Sequence, residues 1–419
     1  MPLRLSTFPL TLLLSALFFS GCHSGMHTPD RPVSTIAESP YPDLAVALNE
    51  IFFIDELDSA SWGIRIETVD GEVLYDYRAD KGFMPASTMK LFTTAAALDI
   101  LGPDYQYKTI VKAVGNIEDG VLKGDLVIVG SGDPMLGSWH PDPENDSRVL
   151  FATWMDALRN AGIEKIEGDI IGDGRIFTKE YLSTWWSYGD LPYWYAAGSS
   201  GLVIEENGFR SVFYPGDEVG DRPTFEILPD TSYVEIINEA TTGEPGSRSN
   251  MDYTWRKTEE NTFLLERSIA LDRESKDERS SIWDGDLYAA YLFWEALEDA
   301  GFDVSGEPRN ARTVARIEEI DNAPDSQVTI VAETLSPPMS EICAQINDLS
   351  HNLFADQVVR TLGVVVKGEG SFDAGTAVVE EWVERNDLPD AKDFAMQDGS
   401  GLAYANVIQP RQMAALLGL

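Results

Sequence analysis

Hydrophobic and polar positions switch between a helical and a strand-like period several times along the chain. Residues 43–57 carry apolar positions at helical spacing and predict a first helix. Residues 61–68 and 72–77 alternate instead, and they flank Asp70-Gly71, a strong hairpin signal. The helical pattern returns from Pro85 to Leu98, rich in Ala, Leu and Met after the turn-prone Asp80-Lys81-Gly82. From about residue 104 to 323 the character changes. Strands are predicted over 107–114, 121–129 and 163–171, with a helix over 148–161 and tight loops at Gly130-Ser-Gly-Asp-Pro134 and Gly172-Asp-Gly174. Residues 242–252 and 271–279 read as exposed loops, and 286–300 as an amphipathic helix ending at Gly301. Strands are predicted again over 314–320 and 327–332. Ser336-Pro-Pro338 then opens a helix over 339–349, and further helices are predicted over 352–362, 374–386 and 410–417. No internal repeat is visible.

Composition changes this picture in two ways. At 419 residues the chain exceeds one core's worth, so two or three domains are expected. The net charge of −39, from 70 acidic against 31 basic residues, argues against binding to nucleic-acid phosphates and against adhesion to anionic lipid by charge. Adaptation to a salty medium, which screens self-repulsion, is one reading of that charge; an ordinary acidic extracytoplasmic protein is the other. Residues 1–21 stand apart from the fold: Arg4, a short apolar run and Ser20-Gly21 read as a signal peptide. The run is too short to span a bilayer comfortably. Small residues immediately before Cys22 resemble a bacterial lipoprotein cleavage site, which implies lipidation of Cys22. Residues 22–42, polar and rich in Pro and Ser, read as a flexible tether. Cys343 then remains as a lone thiol on a helical pattern, expected to be buried. The four histidines are scattered, two of them in the tether, so no metal cluster and no cofactor motif is expected.

Candidate chemistry begins at Ser87 and Lys90. Three apart on a helix, they share one face, and a hydroxyl beside an amine can be a nucleophile beside its base once burial lowers the amine's pKa. The tetrad alone is a weak signal and also fits a helix cap. Ser350-His351-Asn352 lies in a turn between two predicted helices, where a hydroxyl and an amide can hold the lysine, relay a proton and grip a substrate amide, or simply cap a helix. Trp185, Trp186, Trp194, Tyr193 and Tyr195 crowd one segment, for which packing is the expected role.

These elements belong to a known signature, Ser-x-x-Lys with Ser-x-Asn and Lys-Thr-Gly. The chain resembles the serine-type D-alanyl-D-alanine carboxypeptidase/endopeptidase family of the penicillin-binding protein 4 type (peptidase family S13). The likeness runs from about residue 43 to the end. It includes Pro85-Ala-Ser-Thr-Met-Lys-Leu91, Gly124-Asp-Leu126, Gly130-Ser-Gly-Asp-Pro134, Ile166-Glu-Gly-Asp-Ile-Ile-Gly-Asp173, Ser336-Pro-Pro338, Ser350-His-Asn-Leu-Phe-Ala355 and Asp398-Gly-Ser-Gly-Leu402. Tyr404-Ala-Asn406, a rival second motif of the class C β-lactamase kind, follows Asp398-Gly-Ser-Gly-Leu402 and is set aside as structural. The resemblance implies an α/β fold. Its catalytic domain, an antiparallel sheet flanked by helices, would be built from 43–103 and 324–419 and carry a large mixed α/β insertion over 104–323. It implies a penicillin-sensitive serine acyl-enzyme acting on D-alanyl-D-alanine stem peptides of peptidoglycan. Lys90 would activate Ser87, Ser350 would shuttle a proton, and Asn352 would hold the substrate amide. β-Lactams would be inhibitors, and the place of action would be extracytoplasmic, with the membrane reached through a lipid anchor only. No Lys-Thr-Gly or Lys-Ser-Gly occurs in the chain. In the family the strands carrying that motif lie beyond the point where this sequence stops, so the chain is expected to be C-terminally incomplete. The rival readings are a catalytically silent peptidoglycan-binding lipoprotein and a β-lactamase; the long interval between Ser87 and Ser350 argues against the latter.

Overall fold

The computed structural model describes residues 39–419 except 55, 56, 58, 141–146 and 258. The expected signal peptide, the Cys22 lipidation site and all of the expected tether but residues 39–42 lie outside the described residues. The architecture is mixed α/β, and the described chain divides into two compact units. One comprises 39–85, 380–396 and 405–419; the other comprises 86–379 and 397–404.

In the first unit the end of the expected tether is already fixed. Ser39 Oγ donates to the Leu74 carbonyl and Tyr41 OH to Glu72 Oε1, each at 2.6 Å. Helix α1 (Pro42–Phe52) opens on a proline, whose missing N–H costs nothing at a helix start. Strands β1 (Ile64–Glu67) and β2 (Val73–Tyr77) pair antiparallel as the alternation predicts, and Gly71 takes the turn at a φ of +82°. Their inward residues Ile64, Ile66 and Tyr75 pack with Ala45 of α1.

The second unit begins with a 3-10 turn, Ala86–Met89, that runs into α2 (Lys90–Ile100); the predicted continuous helix therefore starts as a tighter turn. Strands β3 (Lys108–Glu118) and β4 (Val121–Val129) pair antiparallel at the centre of a seven-stranded sheet. Helix α3 (Ser147–Asn160) leads to β5 (Lys165–Ile166) and β6 (Ile170–Asp173), both parallel to β4. The single strand predicted over 163–171 is thus two, separated around Gly168, where a Cβ would lie 2.3 Å from the Gly124 carbonyl oxygen. Eight short strands follow: β7 (Gly208–Tyr214), β8 (Thr224–Leu228), β9 (Glu235–Asn238), β10 (Thr241–Gly243), β11 (Asp252–Arg256), β12 (Thr262–Glu266), β13 (Ser268–Ala270) and β14 (Lys276–Ser281). They form two three-stranded sheets and one parallel pair. Two regions expected to be loops therefore carry strand: β10 overlaps the first and β14 the second.

Helix α4 (Gly285–Asp299) is capped by Asp284, whose side chain accepts from Leu287 N. Strands β15 (Asp303–Val304) and β16 (Pro308–Asn310) extend the large sheet beside β5 and β6. The strand predicted over 314–320 is not formed; a short helix α5 (Ile317–Asp321) stands there, with Glu318 and Glu319 in its first turn, where the helix dipole favours acid. Strand β17 (Val328–Leu335) pairs antiparallel with β3, so it belongs to the sheet of the preceding region rather than to the segment after 323. Helices α6 (Met339–Leu349), α7 (Asn352–Lys367), α8 (Phe372–Arg385) and α9 (Pro410–Leu417) complete the order. In the first unit α9 is opened by a reciprocal Gln409–Gln412 capping box and packs on β1.

Two cores matter for the site, both in the second unit. The large sheet buries Val111, Leu126 and Ile128 with Phe151 and Trp154 of α3 and Phe293 of α4. A smaller cluster joins Ala97 of α2, Ile342, Cys343 and Ile346 of α6, and Phe354, Ala355 and Val358 of α7. Cys343 is buried as expected, and desolvation pushes its thiol up to about 12, leaving it inert.

Candidate active site

The site is assembled where the α2 turn, the α6–α7 turn and the 398–401 turn meet. Ser87 lies in the 3-10 turn as an exposed residue, and Lys90, the first residue of α2, is 2% exposed. Lys90 Nζ lies 3.1 Å from Ser87 Oγ and donates to Asn352 Oδ1 and to the Ser400 carbonyl, both at 2.6 Å. The two carbonyl oxygens can only accept. A neutral amine therefore spends its two N–H bonds on them and turns its lone pair toward the Ser87 hydroxyl. Burial pushes the Lys90 amine down to about 8, against the pull of the Asp356 and Asp398 carboxylates. A neutral base beside a hydroxyl is the state nucleophilic catalysis requires.

Each partner of Lys90 is itself held. Asn352 opens α7, and its Nδ2 donates to the Tyr195 carbonyl at 2.8 Å, which fixes the amide with its oxygen toward the lysine. The Ser400 carbonyl is presented by a turn clamped from two sides. Asp356, one helical turn after Asn352, accepts from Gly399 N (2.8 Å) and Ser400 N (3.1 Å). Asp398 accepts from Gly401 N, Ala403 N and Ser400 Oγ, and from Trp186 Nε1 at 2.7 Å. Asp356 is fully buried, and desolvation with the neighbouring Asp398 raises its carboxyl well above the usual range. Gly401 carries a φ of +83°, and a Cβ there would lie 1.8 Å from the Ala86 carbonyl oxygen. Only glycine lets this turn approach the turn of the candidate nucleophile.

Of the residues singled out in the sequence, Ser87, Lys90 and Asn352 are brought into one hydrogen-bonded group. Ser350 is not. It ends α6 in the left-handed region (φ 56°), exposed, and its hydroxyl has no hydrogen-bond partner among the described residues. Tyr404 is 59% exposed, packs edge-on against Trp185 and makes no hydrogen bond to Ser87, Lys90 or Asn352 among the described residues. The aromatic segment does more than pack, since Trp186 and Tyr195 hold two arms of the site. Ser400, Asp356, Asp398 and the Tyr195 carbonyl had no signal of their own in the sequence, and Trp186 stood out only as part of an aromatic cluster expected to pack. The nearest was the recurrence of Asp398-Gly-Ser-Gly-Leu402 in the resembling family.

The expectation of no metal-ligand cluster needs correction. His351, 2% exposed, places Nε2 2.8 Å from Glu206 Oε2, and His140 places Nδ1 2.8 Å from Glu206 Oε1. The three residues lie on separate stretches of chain, so spacing could not reveal them.

A sequence model of the D-Ala-D-Ala carboxypeptidase 3 (S13) family matches residues 44–419. The D-alanyl-D-alanine carboxypeptidase of Actinomadura sp. (strain R39) is 29% identical over 358 residues, which cover 84% of this chain and 63% of that protein. D-alanyl-D-alanine carboxypeptidase DacB of Haemophilus influenzae is 22% identical over 350 residues, covering 83% of this chain and 68% of the relative. The crystal structure of penicillin binding protein 4 from the same organism superposes with a TM-score of 0.70 at 21% identity, covering 83% of this chain and 72% of that one. The chain thus spans roughly two thirds of the length of these relatives.

Proposed function

Because the chain belongs to the D-Ala-D-Ala carboxypeptidase 3 (S13) family, we propose that it cleaves D-alanyl-D-alanine peptides of peptidoglycan through a serine acyl-enzyme. The observation that carries the reading is the buried Lys90 amine, shared among Ser87 Oγ, Asn352 Oδ1 and the Ser400 carbonyl. Neutral Lys90 takes the proton from Ser87 Oγ, and Oγ attacks the carbonyl carbon of the scissile D-Ala–D-Ala bond. The backbone N–H of Ser87 stabilises the oxyanion. Collapse breaks the C–N bond, the leaving amine takes up the proton, and terminal D-alanine departs. Water then hydrolyses the ester and restores Ser87. Exposed Ser350 is the hydroxyl left to carry a proton to the leaving amine. Asn352 aims Lys90; its Nδ2 grips a substrate amide only by leaving the Tyr195 carbonyl.

β-Lactams enter the same chemistry as acylating inhibitors, and the same site can act on D-alanyl cross-links. In domain terms, 43–103 with 324–419 would form the catalytic part and 104–323 its insertion, with β17 pairing onto the sheet of the insertion. The leader-like residues 1–21 and Cys22 support export and a lipid anchor as the sole membrane attachment; Cys22→Ser should abolish incorporation of labelled fatty acid.

Fluorescent penicillin tests the acyl-transfer reading. It should label the chain at Ser87, and Ser87→Ala should remove the label without loss of fold. A folded chain that binds cell-wall sacculi but takes no label would instead identify a silent wall-binding protein, and rapid turnover of penicillin would identify a β-lactamase.

A further inference from the structure

We propose that His140 Nδ1, His351 Nε2 and the Glu206 carboxylate form a binding site for a divalent cation of borderline softness, Zn2+ in kind, at the turn that carries Asn352. Their ligand atoms lie within 4.8 Å of one another. An ion held at about 2.1 Å by imidazole nitrogen and carboxylate oxygen in tetrahedral geometry needs its donors about 3.4 Å apart. Each ring nitrogen now stands 2.8 Å from a different oxygen of Glu206, so these pairs must part by about 0.6 Å and any pair near the 4.8 Å limit must close by up to about 1.4 Å; side-chain rotations of that order admit the ion. Two imidazoles and one carboxylate suit zinc and its neighbours and disfavour Mg2+ and Ca2+, which take oxygen.

The setting supports a built site. Glu206 is 4% exposed, and each of its two carboxylate oxygens faces one imidazole nitrogen. Its chain segment is held in an unfavourable conformation: Glu205, Glu206 and Asn207 all have positive φ, at 48°, 56° and 48°. Such a run persists only when its surroundings fix it. Here Ser147 N binds Glu205 Oε1, and Asn207 Nδ2 donates to the Gly198 carbonyl. Trp194 and Phe354 pack on the His351 ring and Trp139 on His140. His140 remains 22% exposed, which leaves a route to solvent, and the net charge of −39 concentrates divalent cations around the chain.

His351 Nδ1 is buried and has no hydrogen-bond partner. A neutral ring bound through Nε2 carries its proton on Nδ1, where no acceptor stands among the described residues. The lack of such an outer partner costs roughly 10–100-fold in affinity, so the ion is exchangeable rather than structural. His351 precedes Asn352, so an ion that parts the ring from Glu206 acts on the amide that aims Lys90. That consequence, unlike the site itself, rests on the acyl-transfer reading.

The test is titration of the chelator-treated full chain with Zn2+, and with Co2+ for its visible d–d absorption. Wild type should bind one ion, and His140→Ala should weaken that binding by about 10-fold or more. His140→Gln, which keeps a donor toward Glu206, guards against a folding defect and should weaken it as well. Ser87→Ala should bind as wild type does, so failure of the acyl-transfer reading leaves this result standing. Binding that is equal in wild type and His140→Ala, and so belongs to Cys22, His23 and His27 at the N-terminus, overturns the proposal, as does the absence of a stoichiometric ion.

Discussion

At Lys90 the physical argument makes a numerical demand. An amine with a pKa of about 8 is neutral in roughly one chain in ten at pH 7 and in nine of ten at pH 9. Acylation of Ser87 by penicillin should therefore rise about tenfold between those values and then level off; continued rise through pH 10 would mean an ordinary lysine. Asn352→Asp places a carboxylate against Nζ, which favours the ammonium, so the profile should move to higher pH by at least about one unit. Lys90→Arg keeps the charge but cannot lose its proton, and acylation should fall by about 10²–10⁴-fold. Gly401→Ala should reduce both labelling and thermal stability, the latter by about 2 kcal/mol or more, because the added methyl meets the Ala86 carbonyl and the backbone must leave its positive φ. The sequence showed Ser87, Lys90 and Asn352 because their side chains are the signal. It could not show that two backbone carbonyls, of Ser400 and Tyr195, complete the arrangement, since every residue carries one.

At the scale of the element, α7 is where the hydrophobic pattern was least informative. Its residues Asn352, Asp356 and Arg360 recur every four positions, which ordinarily marks a solvated face. Here that stripe is buried, 9%, 0% and 0% exposed. Arg360 donates to the carbonyls of Glu180, Ser199, Thr178 and Gly370 and lies over the rings of Phe177 and Phe372. Desolvation pushes its guanidinium down to about 10. One charged side chain thus gathers the loop segments on which the aromatic wall of the site is built. Replacing it with the similarly long Met should leave several buried carbonyls without donors and cost about 3 kcal/mol or more, read as a lower denaturant midpoint. A loss below about 1 kcal/mol would show that water takes over those acceptors. Strong local periodicity made α6 and α9 readable to the residue, whereas the eight strands between 208 and 281 are three to seven residues long, too short for alternation to separate from loop. At 314–320 the β-branched and apolar residues read as strand, but two glutamates at a helix start prevailed.

At the scale of the whole molecule the dominant quantity is charge. The excess of 70 acidic over 31 basic residues sets a repulsive field around a site proposed to take an anionic peptide terminus. No local contact in the Ser87–Lys90–Asn352 group offsets that field, because its only cation is buried and committed to two carbonyls. Salt shortens the reach of such a field from about 10 Å at 0.1 M to about 3 Å at 1 M. Two effects should follow in parallel. The melting temperature should climb as sodium chloride is raised over that range, since screening relieves self-repulsion in the folded chain. Acylation by benzylpenicillin, an anion, should also speed up with salt, through kcat/KM rather than through the limiting rate, because encounter is what the field opposes. A zwitterionic β-lactam should show the rise in stability without the rise in encounter rate. If both compounds respond alike, salt is acting on the fold of the site itself; if neither does, the acidic residues are arranged so that their field does not reach Ser87.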